Sequence, residues 1–317
     1  MINERPVTGV IGTRARKMFV DAVLIAGPTA AGKSAAALAL AARVDGVIVN
    51  TDAMQVYSEL PILSGQPGAN EISRALHRLY GHVSAHERYS AGRFQHEATA
   101  ELTAIAASGK VPIFAGGTGL YFNVLTRGLS PIPQVPGDIR ARLRSRFDEI
   151  GRERFYAELV QRDPAVAALR ASDTQRLLRA ADVLEATGRP LSQWQAIAGK
   201  PVLEGLKLAL FVVAPGREIL AERINRRFES MIERGAADEV RALRDLDPSL
   251  PAARMLGFPE LSRYLKGEQG LGEAVAAAQM ATRRFAKRQL TWYRRYMADW
   301  VWLSEADNIL SSITGER

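Results

Sequence analysis

The sequence contains no cysteine, which removes disulfides, thiolate metal sites and cysteine nucleophiles together and fits a reducing cytoplasm. It also lacks any apolar run approaching the roughly 18–20 residues needed to span a bilayer, so no membrane association is expected. The first twenty residues hold Arg14, Arg16 and Lys17 but no continuous apolar stretch, and do not read as a secretory signal. Residues 1–20 are expected to be a flexible extension. There is no internal repeat and no low-complexity tract beyond alanine richness. What is present is a chain of 317 residues, 47% hydrophobic, long enough to bury a full core as one large domain with an elaboration. Its formal charge of +8 points toward a polyanionic partner, because basic proteins attract phosphate backbones.

Along the chain, Phe19 to Ala26 reads as a buried strand ending at a glycine, and Ser34 to Val44 as a helix. Val47-Ile48-Val49 is a second strand, stopping at Asn50-Thr51-Asp52. A helix is expected from about Ala91 to Ser108, then a third strand, Val111 to Ala115, running into Gly116-Gly117-Thr118. Strands alternating with helices predict an α/β fold with a parallel sheet flanked by helices. Three prolines between Pro131 and Pro136 mark a boundary. From Asp138 to about Trp194 the pattern is helical and arginine-rich, with no strand candidate. Strand character returns at Leu206 to Ala214, and Trp300 to Leu303 could form a last short strand. The expected organisation is a catalytic core of residues 21–131 and 200–317, interrupted by an all-helical insertion, 132–199.

Gly27-Pro28-Thr29-Ala30-Ala31-Gly32-Lys33-Ser34 fits G-x-x-x-x-G-K-[ST] between an expected strand and an expected helix, the context this motif requires. Glycines let backbone N–H groups curl around phosphate oxygens, and the helix N-terminus adds a favourable dipole. Lys33 supplies a point charge to phosphates, and Ser34 a hydroxyl suited to Mg²⁺. Ligands of an open parallel sheet sit beyond the carboxyl ends of its strands. The segments from Thr51 to Tyr57 and from Gly116 to Tyr121 should therefore converge on this loop. Asp52 can serve either as a ligand in the Mg²⁺ shell or as a general base. Thr118 can donate to a phosphate or base, or simply cap a helix.

Two basic stretches stand out. Arg140, Arg142, Arg144 and Arg146 alternate and spread over two helix faces, a pattern that suits either a solvated surface or RNA contact. Near the C-terminus Arg283, Arg284, Lys287, Arg288, Arg294 and Arg295 interleave with Phe285, Trp292, Tyr293 and Tyr296. That mixture suits phosphate contact with base stacking, or an amphipathic core helix with snorkelling arginines.

Seven segments occur in one order: Gly27–Ser34 (GPTAAGKS), Asn50–Tyr57 (NTDAMQVY), Ala115–Phe122 (AGGTGLYF), Asp173–Ala180 (DTQRLLRA), Gly188–Trp194 (GRPLSQW), Gly257–Leu265 (GFPELSRYL) and Ala281–Arg295 (ATRRFAKRQLTWYRR). In this the chain resembles the tRNA dimethylallyltransferases, or tRNA isopentenyltransferases, over nearly its whole length. The resemblance implies that the P-loop holds the diphosphate of dimethylallyl diphosphate rather than ATP, with Mg²⁺ as cofactor at Ser34, and Asp52 a second candidate ligand. It implies that Asp52 accepts the proton of an adenine N6, and that Thr118 and Arg140 lie at the reacting centre, Arg140 on the diphosphate. It implies tRNA contact by Asp52, Ala53, Met54 and Gln55, and by Gln175, Arg176, Leu177, Leu178 and Arg179; Lys287 and Arg288 join them as candidates from the basic C-terminal helix. The implied target is the adenosine 3′ of the anticodon, in tRNAs reading codons that begin with U, and a cytoplasmic monomer is expected.

The chain departs from the family pattern at several points. Ala53 replaces a usual serine, Gln66 a customary lysine in the segment Pro61 to Pro67, and Leu76 to His82 a customary P-H-H-L-I-D. The zinc finger of eukaryotic members is excluded by the lack of cysteine, which suits a bacterial form. Competing readings are a small-molecule P-loop kinase, which leaves the arginine-rich insertion unexplained, and an adenylate prenyltransferase acting on AMP or ATP. A non-catalytic RNA-binding protein would have no evident need of Lys33 and Asp52.

Overall fold

A computed structural model describes residues 20–306 together with Ile309 and Ser312. The extension expected at 1–20 lies, but for Val20, outside the described residues. Among the described residues six strands are formed: Ala22–Ala26 (β1), Gly46–Asn50 (β2), Leu76–Arg78 (β3), Val111–Gly116 (β4), Leu208–Val213 (β5) and Val301–Leu303 (β6). They make one sheet in the order β3-β2-β4-β1-β5-β6, with every pairing parallel. Every residue of β1 and β2 is buried, which requires cover on both faces and explains why these strands read as continuous apolar runs.

Five strands fall where the sequence pattern puts them; β3 does not. It is only three residues long, and both of its end residues are exposed. It gains its conformation from pairing with β2, Val47 against Leu76 and Val49 against Arg78, not from any pattern of its own. A strand this short leaves little open edge for another chain to extend.

Two compact units are present, one running to Phe122 and resuming at Gly205, the other spanning Asn123–Glu204. The second contains the whole of the 132–199 segment and is helical: Gly137–Ile150, Arg152–Arg162, a 3-10 turn at Pro164–Ala168, Thr174–Thr187 and Leu191–Gln195. Its core is a small set that includes Leu143, Phe155, Leu159, Leu177 and Leu184. Within it, Asp173 starts the Thr174–Thr187 helix by accepting the Arg176 amide at 3.2 Å, an N-cap in the usual sense. In the first unit, helix Lys33–Val44 lays Ala36, Ala37, Leu40 and Ala41 against the sheet. The long helix Leu271–Tyr296 and helix Arg217–Glu233 lie along each other.

Candidate active site

The segment between β1 and the next helix turns sharply at Gly32, whose φ of +94° is a conformation glycine adopts without strain. Lys33 then heads the helix, with its Nζ donating to the Pro28 carbonyl at 2.7 Å. The ammonium is held inside the loop, where burial lowers its pKa to about 8; the Asp52 carboxylate opposes that shift and the Arg227 guanidinium adds to it. Ser34 faces a small cavity also lined by Gln55, Gly65, Glu71, His77 and Tyr80.

β4 pairs with both β1 and β2, so their carboxyl ends open side by side. At the end of β2 the buried Asn50 builds the next turn. Its Oδ1 accepts the Asp52 amide at 2.8 Å, and its Nδ2 donates to the carbonyls of Asp52 and Leu79, each at 2.9 Å. Asp52 Oδ1 accepts the Met54 amide at 3.0 Å. Oδ2 lies against Gly117, where a Cβ would come within 2.8 Å of it, so this approach requires glycine. Thr118 ties the two loops together: its amide donates to the Thr51 carbonyl at 3.1 Å and its Oγ1 accepts the Ala53 amide at 2.9 Å. A hydroxyl that accepts in this way keeps its own hydrogen as a donor.

The Asp52 charge is felt around the site. Burial raises the pKa of Tyr80, Tyr121 and Tyr293, and the carboxylate raises each further; all three stay protonated. Burial lowers that of Arg227, and Asp52 opposes the shift.

The comparisons with known proteins settle the family. The model of the IPP transferase family matches residues 55–296. A tRNA dimethylallyltransferase of Azorhizobium caulinodans is 49% identical, the match covering 93% of this chain and 95% of that one. This chain belongs to the IPP transferase family. Among solved structures, a tRNA isopentenylpyrophosphate transferase from Bacillus halodurans is 31% identical with a TM-score of 0.65, over 93% of each chain. A eukaryotic dimethylallyltransferase acting on tRNA is 25% identical with a TM-score of 0.76, over 93% of this chain and 77% of that one.

The five residues Gln175 to Arg179 divide by their surroundings. Leu177 is fully buried and anchors the helix, while Leu178 packs on the same helical core and is partly buried. Gln175 and Arg176 are exposed, Arg176 pairing with Asp173 at 3.2 Å. Arg179 is partly buried, and burial followed by the Arg140 charge lowers its pKa. Asp182 feels both arginines, which oppose the rise that burial causes in its own pKa. Three of the four alternating arginines are matched to carboxylates: Arg142 to Glu185 at 3.0 Å, Arg144 to Asp148 at 3.4 Å and Arg146 to Glu158 at 2.6 Å. Arg140 is the exception among the described residues.

The Leu271–Tyr296 helix has two faces. Ala286, Gln289 and Tyr293 are buried, while Lys287 and Arg288 are exposed, Arg288 lying 5.6 Å from the Phe285 ring. The inner face supplies groups that motif reading does not single out for the site. Gln289 Nε2 donates to the Gly117 carbonyl at 2.8 Å, and its Oε1 accepts the Thr29 amide at 3.3 Å. The Tyr293 hydroxyl, one turn on, reaches the carbonyls of Gly117 at 2.8 Å and Gly27 at 3.1 Å. This helix therefore clasps the phosphate loop to the Gly116–Thr118 loop. The available signal was a glutamine on an otherwise apolar helical stripe, since buried polar side chains are rarely without purpose. Arg227 gave no comparable sign among its arginine neighbours.

Proposed function

We propose that this chain transfers a dimethylallyl group from dimethylallyl diphosphate to the exocyclic N6 of the adenosine 3′ of the anticodon, in tRNAs that read codons beginning with U. The observation that carries the reading is the convergence of the Gly27–Ser34 loop, the Asp52 carboxylate and the Gly116–Thr118 loop at one end of the sheet. The family relationship supports this choice of substrates.

As the allylic C1–O bond breaks, its electron pair leaves with the diphosphate. The amides of the loop and the Lys33 ammonium stabilise the charge that develops there. The N6 lone pair forms the new bond to C1, and the N6 proton passes to the Asp52 carboxylate. Products are N6-dimethylallyladenosine and diphosphate. Thr118 and Arg140 are assigned to the reacting centre on the family pattern, Arg140 to the diphosphate. Mg²⁺ suits the donors available, the Ser34 hydroxyl with Asp52. Among the described residues no group of three or more His, Cys, Asp or Glu could hold a metal ion, and Mg²⁺ is commonly held by one or two protein oxygens together with phosphates and water. When bound it neutralises diphosphate charge.

The acceptor adenosine has to leave its stack to reach N6 chemistry. Asp52, Ala53, Met54 and Gln55 are assigned to that base and its neighbours. Gln175, Arg176, Arg179, Lys287 and Arg288 are assigned to the anticodon stem-loop. The chain is read as a monomeric cytoplasmic enzyme. No helix among the described residues is long and apolar enough to cross a membrane.

The test is transfer of labelled dimethylallyl from its diphosphate to unmodified tRNA, with AMP and ATP as competing acceptors and Mg²⁺ present. Label in tRNA alone, lost when the adenosine 3′ of the anticodon is changed, is the expected result. Label in AMP or ATP would move the chain to adenylate chemistry, and no transfer at all would overturn the reading.

A further inference from the structure

Pro61–Ser64 is a single helical turn whose N-cap residue, Leu60, makes no side-chain capping bond. Its first amides would be left without partners, since Pro61 has no N–H and an apolar N-cap accepts nothing. The partners come from elsewhere. Glu239, in the short helix Ala236–Ala242, accepts the Ile62 amide through Oε1 at 2.7 Å and the Leu63 amide through Oε2 at 2.9 Å. A carboxylate from far along the chain thus does what an N-cap aspartate does locally, and its charge suits a helix N-terminus. Leu63 itself is seated in the core with Phe228, Val240 and Phe258.

The far end of this turn faces the site. The carbonyls of Ser64 and Gly65 both accept from Gln55 Nε2, at 3.2 and 2.8 Å. The Ser64 carbonyl also lies 3.5 Å from Arg227 Nη2, and the guanidinium packs so closely on Gly65 that a Cβ there has no room. Gln55 and Arg227 therefore lean on the same turn, one assigned to the acceptor base and the other within electrostatic range of Lys33 and Asp52.

We infer that Glu239 is a positioning residue for the transfer reaction: by fixing the 61–65 turn it sets Gln55 and Arg227 beside the phosphate loop and Asp52. The inference rests on the dimethylallyl-transfer reading for the reaction it serves. It makes Glu239 more than a stabilising cap, because its removal alters catalysis through residues it does not touch.

The experiment is a double-mutant cycle on the full chain, pairing E239A with Q55A and reading kcat and KM for tRNA separately. E239A alone is expected to lower kcat/KM for tRNA roughly tenfold, the scale for losing hydrogen bonds to a charged group. E239Q, which keeps one accepting oxygen, should fall between. Q55A should then cost clearly less in the E239A background than in the native one. If E239A does not fold, E239Q carries the cycle. Amide exchange at Ile62 and Leu63 reads the contact independently of turnover, and protection should fall in both variants. Additive effects, unchanged protection, or a lower denaturation midpoint with unchanged kcat/KM would each overturn the inference. A native chain that leaves tRNA unmodified overturns the transfer reading and this inference with it; an active native chain with an additive cycle overturns this inference alone.

Discussion

Around the phosphate loop, polar side chains are buried and aimed at backbone: Asn50 at Asp52 and Leu79, Gln289 at Thr29 and Gly117, Tyr293 at Gly27 and Gly117. In the helical unit, caps such as Asp173 aside, many arginines face solvent and are aimed at carboxylates, as in Arg142 and Arg162 sharing Glu185 or Arg146 meeting Glu158. The first arrangement fixes loops, because a buried donor or acceptor that loses its partner carries the full desolvation penalty. The second fixes little, because exposed ion pairs are weak and solvent replaces them readily. Substitutions of similar chemistry should therefore have unequal consequences in the two regions.

The largest effect is expected at the reacting groups themselves. Lys33→Ala removes the charge beside the phosphates and Asp52→Ala the proposed base. Each should lower turnover by at least ~10²-fold, the scale for losing one such group. Single-turnover transfer to tRNA measures this directly. Near-native rates in either variant would remove that residue from its assigned role while leaving the fold undisturbed.

Next comes the clasp. Gln289→Leu has nearly the native shape but leaves the Thr29 amide without its acceptor and takes one donor from the Gly117 carbonyl. We expect a loss of about 1–3 kcal/mol in denaturant unfolding, with turnover falling as well, since both loops border Asp52. Tyr293→Phe should act in the same direction and less strongly, because Gln289 still serves Gly117. A stable Gln289→Leu protein with full activity would show that the buried contacts around the loop are no more consequential than the exposed ones.

What the sequence disclosed follows the same division. The phosphate loop is contiguous, and β1, β2 and β4 are buried on both faces, so their apolar runs are unambiguous. Asp52 and Gly116–Thr118 follow from those strands, because the carboxyl ends of neighbouring parallel strands share one crevice. β3 was missed because a three-residue edge strand has no period to detect. Glu239 and Gln289 reach the site from 177 and 260 residues away, and Arg227 from 163 residues away. Only three-dimensional packing makes such pairings. Among the expected tRNA contacts, Leu177 shows the opposite limit: a motif position can be kept for its core packing, and its place in a binding segment does not reveal which way it points.

In the helical unit, Arg179 is the position where the contrast can be sharpened. It is partly buried beside Arg140 and Asp182, unlike the paired arginines around it. Arg179→Ala should weaken tRNA binding several-fold and make the logarithmic salt slope shallower by about 1, as expected for one lost phosphate contact. Titrations at several salt concentrations measure both. A loss of affinity that does not vary with salt would point to packing rather than phosphate contact.

The smallest effect is expected at Arg142. Its partner Glu185 also holds Arg162 at 2.9 Å, so Arg142→Ala leaves no carboxylate unmatched. The unfolding free energy should change by about 1 kcal/mol or less, the usual worth of an exposed pair, and tRNA affinity should stay near native. Arg142 lies two residues from Arg140 on the same helix, so it carries the same charge close to a residue assigned to the diphosphate. If Arg142→Ala nevertheless weakened tRNA binding with a shallower salt slope, the ion pairs would have to open when RNA binds. The paired face would then be a latent phosphate surface, and the division between the two regions would hold only for the free protein.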